Sequence, residues 1–463
     1  MKKTLSLFLS ILIILSTFFC APAFSASAAT YEPDKTIYAE AYMLINLDDA
    51  SYPVVAERNA DERLYPASLT KIATAMVTLN KVQDLTAVTT MSENAYNQSV
   101  GTGAQVAGIE IGEQLTIETL LYLTMVHSAC DACEVLAEYV SGTKEAFVAQ
   151  MNAWAQSIGC KDTHFVNPDG LHDDNHYTTA RDMSLMTLEA LKSPEFVKIA
   201  TTTQVDFHGI TLPHTNLMLQ PGYITYYYEY AQGIKTGSTT EAEYCVITKA
   251  SKNGYNYLAV VMKSPQQAIN GEDYLTKCSF VDAKTLFEWA FDSLKYTTLV
   301  RKAEVVGEVA VKDGKDADTV QLVAKEDVNE IVPAGLDKSA IIYEFVDKPD
   351  IVNAPVSKGD DICQANIIYG DMVIATVDLV AADTVELSTF LKVINAVKAF
   401  LSSTIVKIIF VLLILFFIAY AFLFFTSLKK KNRKRRNKEK LNDSRDNYPD
   451  KIDDLEPPKR YKK

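Results

Sequence analysis

Ser68-Leu69-Thr70-Lys71 places a serine and a lysine three residues apart in this 463-residue chain, a spacing at which both side chains share one face of a helix. In that arrangement the lysine amine can take the serine proton and turn the hydroxyl into a nucleophile. The amine must be partly neutral to do so, which burial and neighbouring cations favour. The spacing by itself is weak, because it recurs at Ser141/Lys144 and Ser427/Lys430. Ser68 differs by context: it follows the turn-like Tyr65-Pro66-Ala67 and opens an apolar helical run, where its backbone N–H can face a substrate. Lys235-Thr236-Gly237-Ser238-Thr239 is the second candidate. On an edge strand Lys235 supplies positive charge, the Thr236 hydroxyl can bind a carboxylate, and Gly237 lets a ligand lie close to the backbone.

Other clusters carry less. Cys130-Asp131-Ala132-Cys133 is the one close cysteine pair, and a zinc site there lacks two further ligands, since only His127 is near. The pair reads as small, semi-buried helix residues. His172 and His176 have a spacing that suits zinc on a helix, but Gly170, Asp173, Asp174 and Asn175 make the segment a loop, so the expected role is structural. Tyr226-Tyr227-Tyr228 and Tyr230 suit either a ligand groove or edge-strand packing.

Several elements must position these residues. Apolar helical runs cover 72–79, 120–140 and 280–294, and strand-like stretches at 244–250 and 257–262 are joined across Lys252-Asn253-Gly254, where Asn-Gly supplies the positive φ of a hairpin turn. From 297 to 388 short Val/Ile-rich strands alternate with turns, which predicts a smaller all-β domain. Residues 389–403 have amphipathic helical spacing.

Both ends differ from the middle. Residues 1–29 have the three-part layout of a secretory signal peptide, with Lys2 and Lys3, an apolar run and Ala26-Ser27-Ala28-Ala29; Phe18 and Phe19 before Cys20 argue against lipoprotein processing. The 21 residues 408–428 carry no charge, enough to cross a hydrocarbon core about 30 Å thick. Nine Lys and Arg residues follow between 429 and 440, which places the tail on the cytoplasmic side and everything before the span outside. The tail 428–463 holds 15 basic and 7 acidic residues, so of the formal −13 the part 4–427 carries −23, 28 basic against 51 acidic. Such a surface argues against nucleic acid or anionic lipid as the ligand of the folded part.

Ser-x-x-Lys followed by Lys-Thr-Gly resembles the signature of penicillin-binding proteins and serine β-lactamases. Tyr65-Pro66-Ala67-Ser68-Leu69-Thr70-Lys71, Asn167-Pro168-Asp169-Gly170-Leu171-His172, His176-Tyr177-Thr178-Thr179-Ala180-Arg181-Asp182 and Gly233-Ile234-Lys235-Thr236-Gly237 narrow it. Together they look like the D-alanyl-D-alanine carboxypeptidases, the low-molecular-mass penicillin-binding proteins, over about residues 35–390. The resemblance implies an α/β (α+β) penicillin-binding-protein/serine β-lactamase-like transpeptidase fold, a small all-β domain and a C-terminal transmembrane helix. The expected layout is signal peptide 1–29, catalytic domain 30–296, β-rich domain 297–388, amphipathic lead-in 389–403, transmembrane helix 404–428 and cytoplasmic tail 429–463. It further implies Ser68 as nucleophile, Lys71 as general base, Ser128 as a proton relay to the leaving amine, backbone N–H groups of Ser68 and Ser238 as oxyanion hole, and Lys235 and Thr236 on the terminal carboxylate. Peptidoglycan stem peptides are the implied substrates, β-lactams the covalent inhibitors, and no cofactor or metal is used. The family has Ser-x-Asn where this chain has Ser128-Ala129-Cys130. A thiol is a weak donor and acceptor beside an amide, a loss on the order of 1–3 kcal/mol, so impaired catalysis, or a wall-binding protein without turnover, is the alternative. Many relatives also place a basic residue in the loop corresponding to 264–276, which here has none.

Overall fold

The computed structural model describes residues 30–443 except 270 and 272, with side chains described to 438. The signal peptide at 1–29, with Cys20, and the end of the tail beyond 443 lie outside the described residues. The chain forms two compact units: residues up to Gly307 with Leu322–Lys348 and Asp361–Val380, and Glu308–Gln321 with Pro349–Asp360 and residues from Ala381 onward.

The first unit is built on an antiparallel sheet of five strands: β1 (Ala41–Asn46), β2 (Val54–Arg58), β3 (Ala231–Thr239), β4 (Glu243–Lys252) and β5 (Tyr255–Ser264), in the order β2-β1-β5-β4-β3. Every residue of β1 is buried. Its alternate residues divide between two cores as a period of two requires: Met43 and Ile45 join Ile72, Leu121 and Leu136 on one face, and Tyr42 and Leu44 join Phe280, Leu286 and Phe287 on the other. The sheet is thus sandwiched by helices. β3 lies at the edge, which leaves one side of the Lys-Thr-Gly backbone open to a cleft. The β4–β5 hairpin turns at Asn253 and Gly254, both at positive φ, as the Asn-Gly pair leads one to expect.

Two helices carry site residues, α1 (Lys71–Lys81) and α2 (Cys130–Ser141), and a third, α3 (Ala180–Ala190), packs against α1 and the sheet. A fourth, α4 (Cys278–Ser293), covers the far face of the sheet. The apolar run 120–140 is not one helix. It winds as Ile117–Tyr122, loosens into a π turn at Leu123–His127, breaks at Ser128 with φ +65°, and restarts as α2. Both halves are buried, so hydrophobic pattern alone cannot mark the break. π turns of this kind recur at functional sites.

Residues 294–381 form eight strands and no α-helix. Within the first unit Leu294–Val300 pairs with Val328–Pro333, and Asp361–Tyr369 pairs with both Ile341–Val346 and Met372–Ala381, all antiparallel. In the second unit Ala310–Lys312 runs parallel to Ile351–Asn353. There the Ser388 hydroxyl caps the helix Thr389–Ser402, and the helix Thr404–Asp443 follows with its apolar side chains exposed along 405–425. That helix is long and apolar enough to cross a membrane.

Candidate active site

The residues singled out by spacing converge on one cleft of about 630 Å³, lined by Ser68, Ser128, Cys130, Thr236, Gly237 and Ser238. Its floor is a short 3-10 turn, Ala67–Thr70, which passes directly into α1. Ala67 sits at φ +46°, outside the usual range for a residue with a side chain, and the turn is pinned from both sides. The Thr70 hydroxyl donates to the Ala67 carbonyl at 2.8 Å and lies 2.8 Å from His176 Nε2. Gly170 presses against the turn so closely that a Cβ there would stand 2.0 Å from the Ala67 oxygen, and Asn167 Oδ1 fixes it by accepting from the Gly170 N–H at 2.7 Å.

Lys71 is fully buried at the head of α1, and its Nζ has three neighbours: Ser68 Oγ at 2.9 Å, the Asp169 carbonyl at 2.6 Å and Cys130 Sγ at 3.3 Å. As an ammonium it donates to all three. As a neutral amine it donates to two and turns its lone pair to the serine hydroxyl, the state that removes a proton. Burial disfavours the charged form, while Cys130, Cys133 and Asp169 favour it, the net being upward when the thiols count as anions. Burial also pushes the Cys130 thiol up to about 11 and Cys133 well above its usual range, so both are uncharged at neutral pH. Their upward push on Lys71 is then absent, and burial, which acts against the charge, is opposed by Asp169 alone.

Ser128 lines the same cleft from the break before α2, with no hydrogen bond to Ser68 or Lys71 among the described residues. The break is held by the Gln105 side-chain amide, which donates to the His127 carbonyl, and by the Cys130 N–H, which donates to the Gln105 carbonyl at 2.8 Å.

On the opposite wall, Gly237 passes so near the nucleophile turn that a Cβ would lie 2.7 Å from the Pro66 oxygen and 3.2 Å from the Ser68 nitrogen. Glycine here is what allows the strand and turn to approach. The Thr236 hydroxyl donates to the Thr215 hydroxyl at 2.7 Å. Lys235, expected to supply positive charge from the edge strand, is wholly buried: its Nζ donates to the Thr236 carbonyl at 3.0 Å, and burial together with nearby Lys71 holds its pKa well below the usual lysine range.

Sequence reasoning missed Thr215, Gln105, the Asp169 carbonyl and Lys277, all brought in by tertiary contact. Lys277 had a signal: the loop read as lacking a basic residue ends one position before it. His172 and His176 share the loop expected of them, His176 buried against Thr70 and its pKa lowered to about 3 by burial, His172 at the cleft mouth beside Glu241 at 3.8 Å. Tyr226 packs against Phe280 of the cleft wall at 5.2 Å, while Tyr228 belongs to the core under α4; neither lies on an edge strand.

Comparison with known proteins gives this geometry a context. Residues 26–266 match the D-alanyl-D-alanine carboxypeptidase family, and 294–387 match the penicillin-binding protein 5 C-terminal domain. The chain is 29% identical over 363 residues to the D-alanyl-D-alanine carboxypeptidase DacF of Bacillus subtilis, covering 78% of this chain and 89% of that one. Against DacA of Haemophilus influenzae it is 30% identical over 366 residues, covering 77% and 87%. The crystal structure of penicillin binding protein 5 from Haemophilus influenzae superposes with a TM-score of 0.57 at 27% identity, covering 77% of this chain and all of that one.

Proposed function

This chain belongs to the D-alanyl-D-alanine carboxypeptidase family of penicillin-binding serine peptidases, and from that premise we propose that it removes the terminal D-alanine from peptidoglycan stem pentapeptides through an acyl-enzyme on Ser68. The observation that carries the reading is the contact of Lys71 Nζ with Ser68 Oγ at 2.9 Å inside a cleft shared with Thr236, Gly237 and Ser238. Neutral Lys71 takes the Ser68 proton as Oγ attacks the carbonyl of the D-Ala–D-Ala bond. The oxyanion is received by the N–H groups of Ser68 and Ser238, consistent with the close approach of Gly237 to the Ser68 nitrogen. Ser128 passes the proton to the leaving amine, Thr236 meets the terminal carboxylate with buried Lys235 behind it, and water then releases the shortened peptide. β-Lactams acylate the same serine. The long apolar helix and basic tail hold the enzyme in the cell membrane as a single span, catalytic domain outside and C-terminus in the cytoplasm.

Mass spectrometry of a pentapeptide muropeptide incubated with the protein and with Ser68→Ala tests this. Loss of one alanine by the wild type, abolished in Ser68→Ala together with covalent capture of a labelled penicillin, is the expected result. Cys130 supports a second reading, a wall-binding protein with an impaired site, because a thiol stands against Lys71 where the family has an amide. Muropeptide binding without release and without penicillin capture would establish that reading instead.

A further inference from the structure

Asp169 enters the catalytic site twice, once by its main chain and once by a side chain that the proposed chemistry leaves unused. Its carbonyl accepts from Lys71 Nζ at 2.6 Å. Its carboxylate is held at one oxygen, where Oδ1 accepts from the Leu171 N–H at 3.1 Å. The other oxygen, Oδ2, is buried and has no hydrogen-bond partner among the described residues, although Asp169 lines the cleft. An ionised oxygen kept from water without a donor is costly unless a positive charge lies close by. Covalent geometry puts Oδ2 within about 8 Å of Lys71 Nζ, because the carbonyl and the carboxylate hang from one Cα. The Cys130 thiol shares this space: it lies 3.3 Å from Nζ, and the Asp169 charge adds to the upward push that burial gives it.

The other titratable groups facing Lys71 supply no anion. Cys130 and Cys133 on α2 are uncharged, His176 is held neutral by burial, and Lys235 on β3 is itself basic. Glu134, one turn along α2 and within reach of the Asp169 charge, is paired with Lys144 at 2.8 Å. Among the described residues, Asp169 is the carboxylate left to face the amine. We propose that the Asp169 side chain is a positioning residue for acylation, a fixed counter-charge that steadies the Lys71 ammonium formed when Ser68 gives up its proton. In that step the Ser68 Oγ–H bond breaks and an Nζ–H bond forms, while the electron pair left on Oγ attacks the scissile carbonyl. Asp169 exchanges no proton; it stabilises the charge that appears on Nζ, in a buried site where a fixed charge is most effective. The inference rests on the reading of Lys71 as the base of Ser68.

The test is the pH dependence of acylation by a labelled penicillin, measured on the full chain and on Asp169→Asn, which keeps an oxygen for the Leu171 N–H. A nearby carboxylate raises the pKa of an amine, so its removal should move the acid limb of the profile down by about one pH unit. The weaker base should also lower the plateau about threefold. Asp169→Ser, smaller and uncharged, should move the limb the same way, whereas a merely structural lesion lowers the plateau and leaves the limb in place. An unmoved limb in the folded variants overturns the proposal. Competitive labelling of the Lys71 amine against pH, followed by mass spectrometry in chains that also carry Ser68→Ala, reads the same shift without turnover. If the wild type neither captures penicillin nor releases D-alanine, the peptidase reading fails, and the amine titration alone decides the role of Asp169.

Discussion

At the scale of single residues Cys130 stands where the resemblance implies an asparagine, and its contacts bear on what a thiol there does. Its Sγ lies 3.3 Å from Lys71 Nζ, where a thiol offers a weaker acceptor than an amide oxygen and no comparable donor. With the thiol held uncharged by burial, Lys71 keeps its strong contacts only to Ser68 Oγ and the Asp169 carbonyl. Restoring the amide with Cys130→Asn should therefore raise kcat/KM for D-alanine release by roughly five- to two-hundredfold, the rate equivalent of one hydrogen bond of about 1–3 kcal/mol in the transition state. Steady-state kinetics of the two proteins on one pentapeptide decides it, and an unchanged or lowered value would show that this site has been rebuilt around the thiol. The arrangement of Ser68, Lys71, Thr236 and Gly237 was readable from motif spacing because each pair lies within one turn or one strand. Cys130 could be aligned with them only through the resemblance, since 59 residues separate it from Lys71 and nothing local brings them together. The burial of Lys235 was not readable either: an edge strand suggests exposure, and the complete burial of this lysine is a tertiary effect with no local signal.

At the scale of elements, the nucleophile turn is an over-determined segment whose supports come from a separate loop. Gly170 must lack a side chain because a Cβ would overlap the Ala67 oxygen, and its φ of +83° is also costly for any other residue. Gly170→Ala should cost about 3 kcal/mol or more and displace Ser68, so both the thermal midpoint and penicillin acylation fall. A variant with the wild-type midpoint and full acylation would show that the loop yields freely. His176 in that loop, and His214 buried elsewhere in the first unit, give the fold a pH dependence. Burial lowers each pKa from 6.5 to about 3, so between these values the unfolded chain binds protons that the native state refuses. Stability is then complete above about pH 6.5 and is lost as pH falls toward 3, by about 2 kcal/mol per histidine at pH 5. Chemical denaturation at pH 7 and pH 5 measures it, and His176→Gln should remove about half of the decline attributed to the pair. An equal slope in wild type and variant would mean that His176 is free to protonate in the native state. The histidine loop, the hairpin and the all-β pattern of 294–381 were legible because turn residues and strand alternation are local signals. The break at Ser128 was not, because the flanking segments are buried all round and read as one continuous apolar helix.

At the scale of the whole molecule, charge and apolar length are separated along the chain, and this separation decides how the protein is held. The portion 4–427 carries −23, so its surface is repelled by anionic lipid and gains nothing from electrostatic adsorption. Attachment must come from apolar burial, for which two elements stand in series. The helix Thr389–Ser402 exposes Phe390, Val393, Val397, Phe400 and Leu401, enough for interfacial contact to a depth of roughly 5–10 Å, while Thr404–Asp443 is long enough to span. An interfacial helix alone binds reversibly, whereas a spanning helix does not exchange on any practical timescale. Full-length protein should therefore stay in the membrane pellet through a wash at on the order of 1 M salt, because screening removes only electrostatic attachment. A chain ending at 403 should divide between pellet and supernatant, and one ending at 388 should be found in the supernatant. Turnover of a soluble pentapeptide should be unchanged in all three, since the residues around Ser68 belong to the first compact unit and both deletions remove only residues of the second. Fractionation with a parallel activity assay measures both properties. Retention of the shortest chain in the pellet would move the attachment to a surface of the folded part, and a fall in its turnover would couple the apolar helices to catalysis.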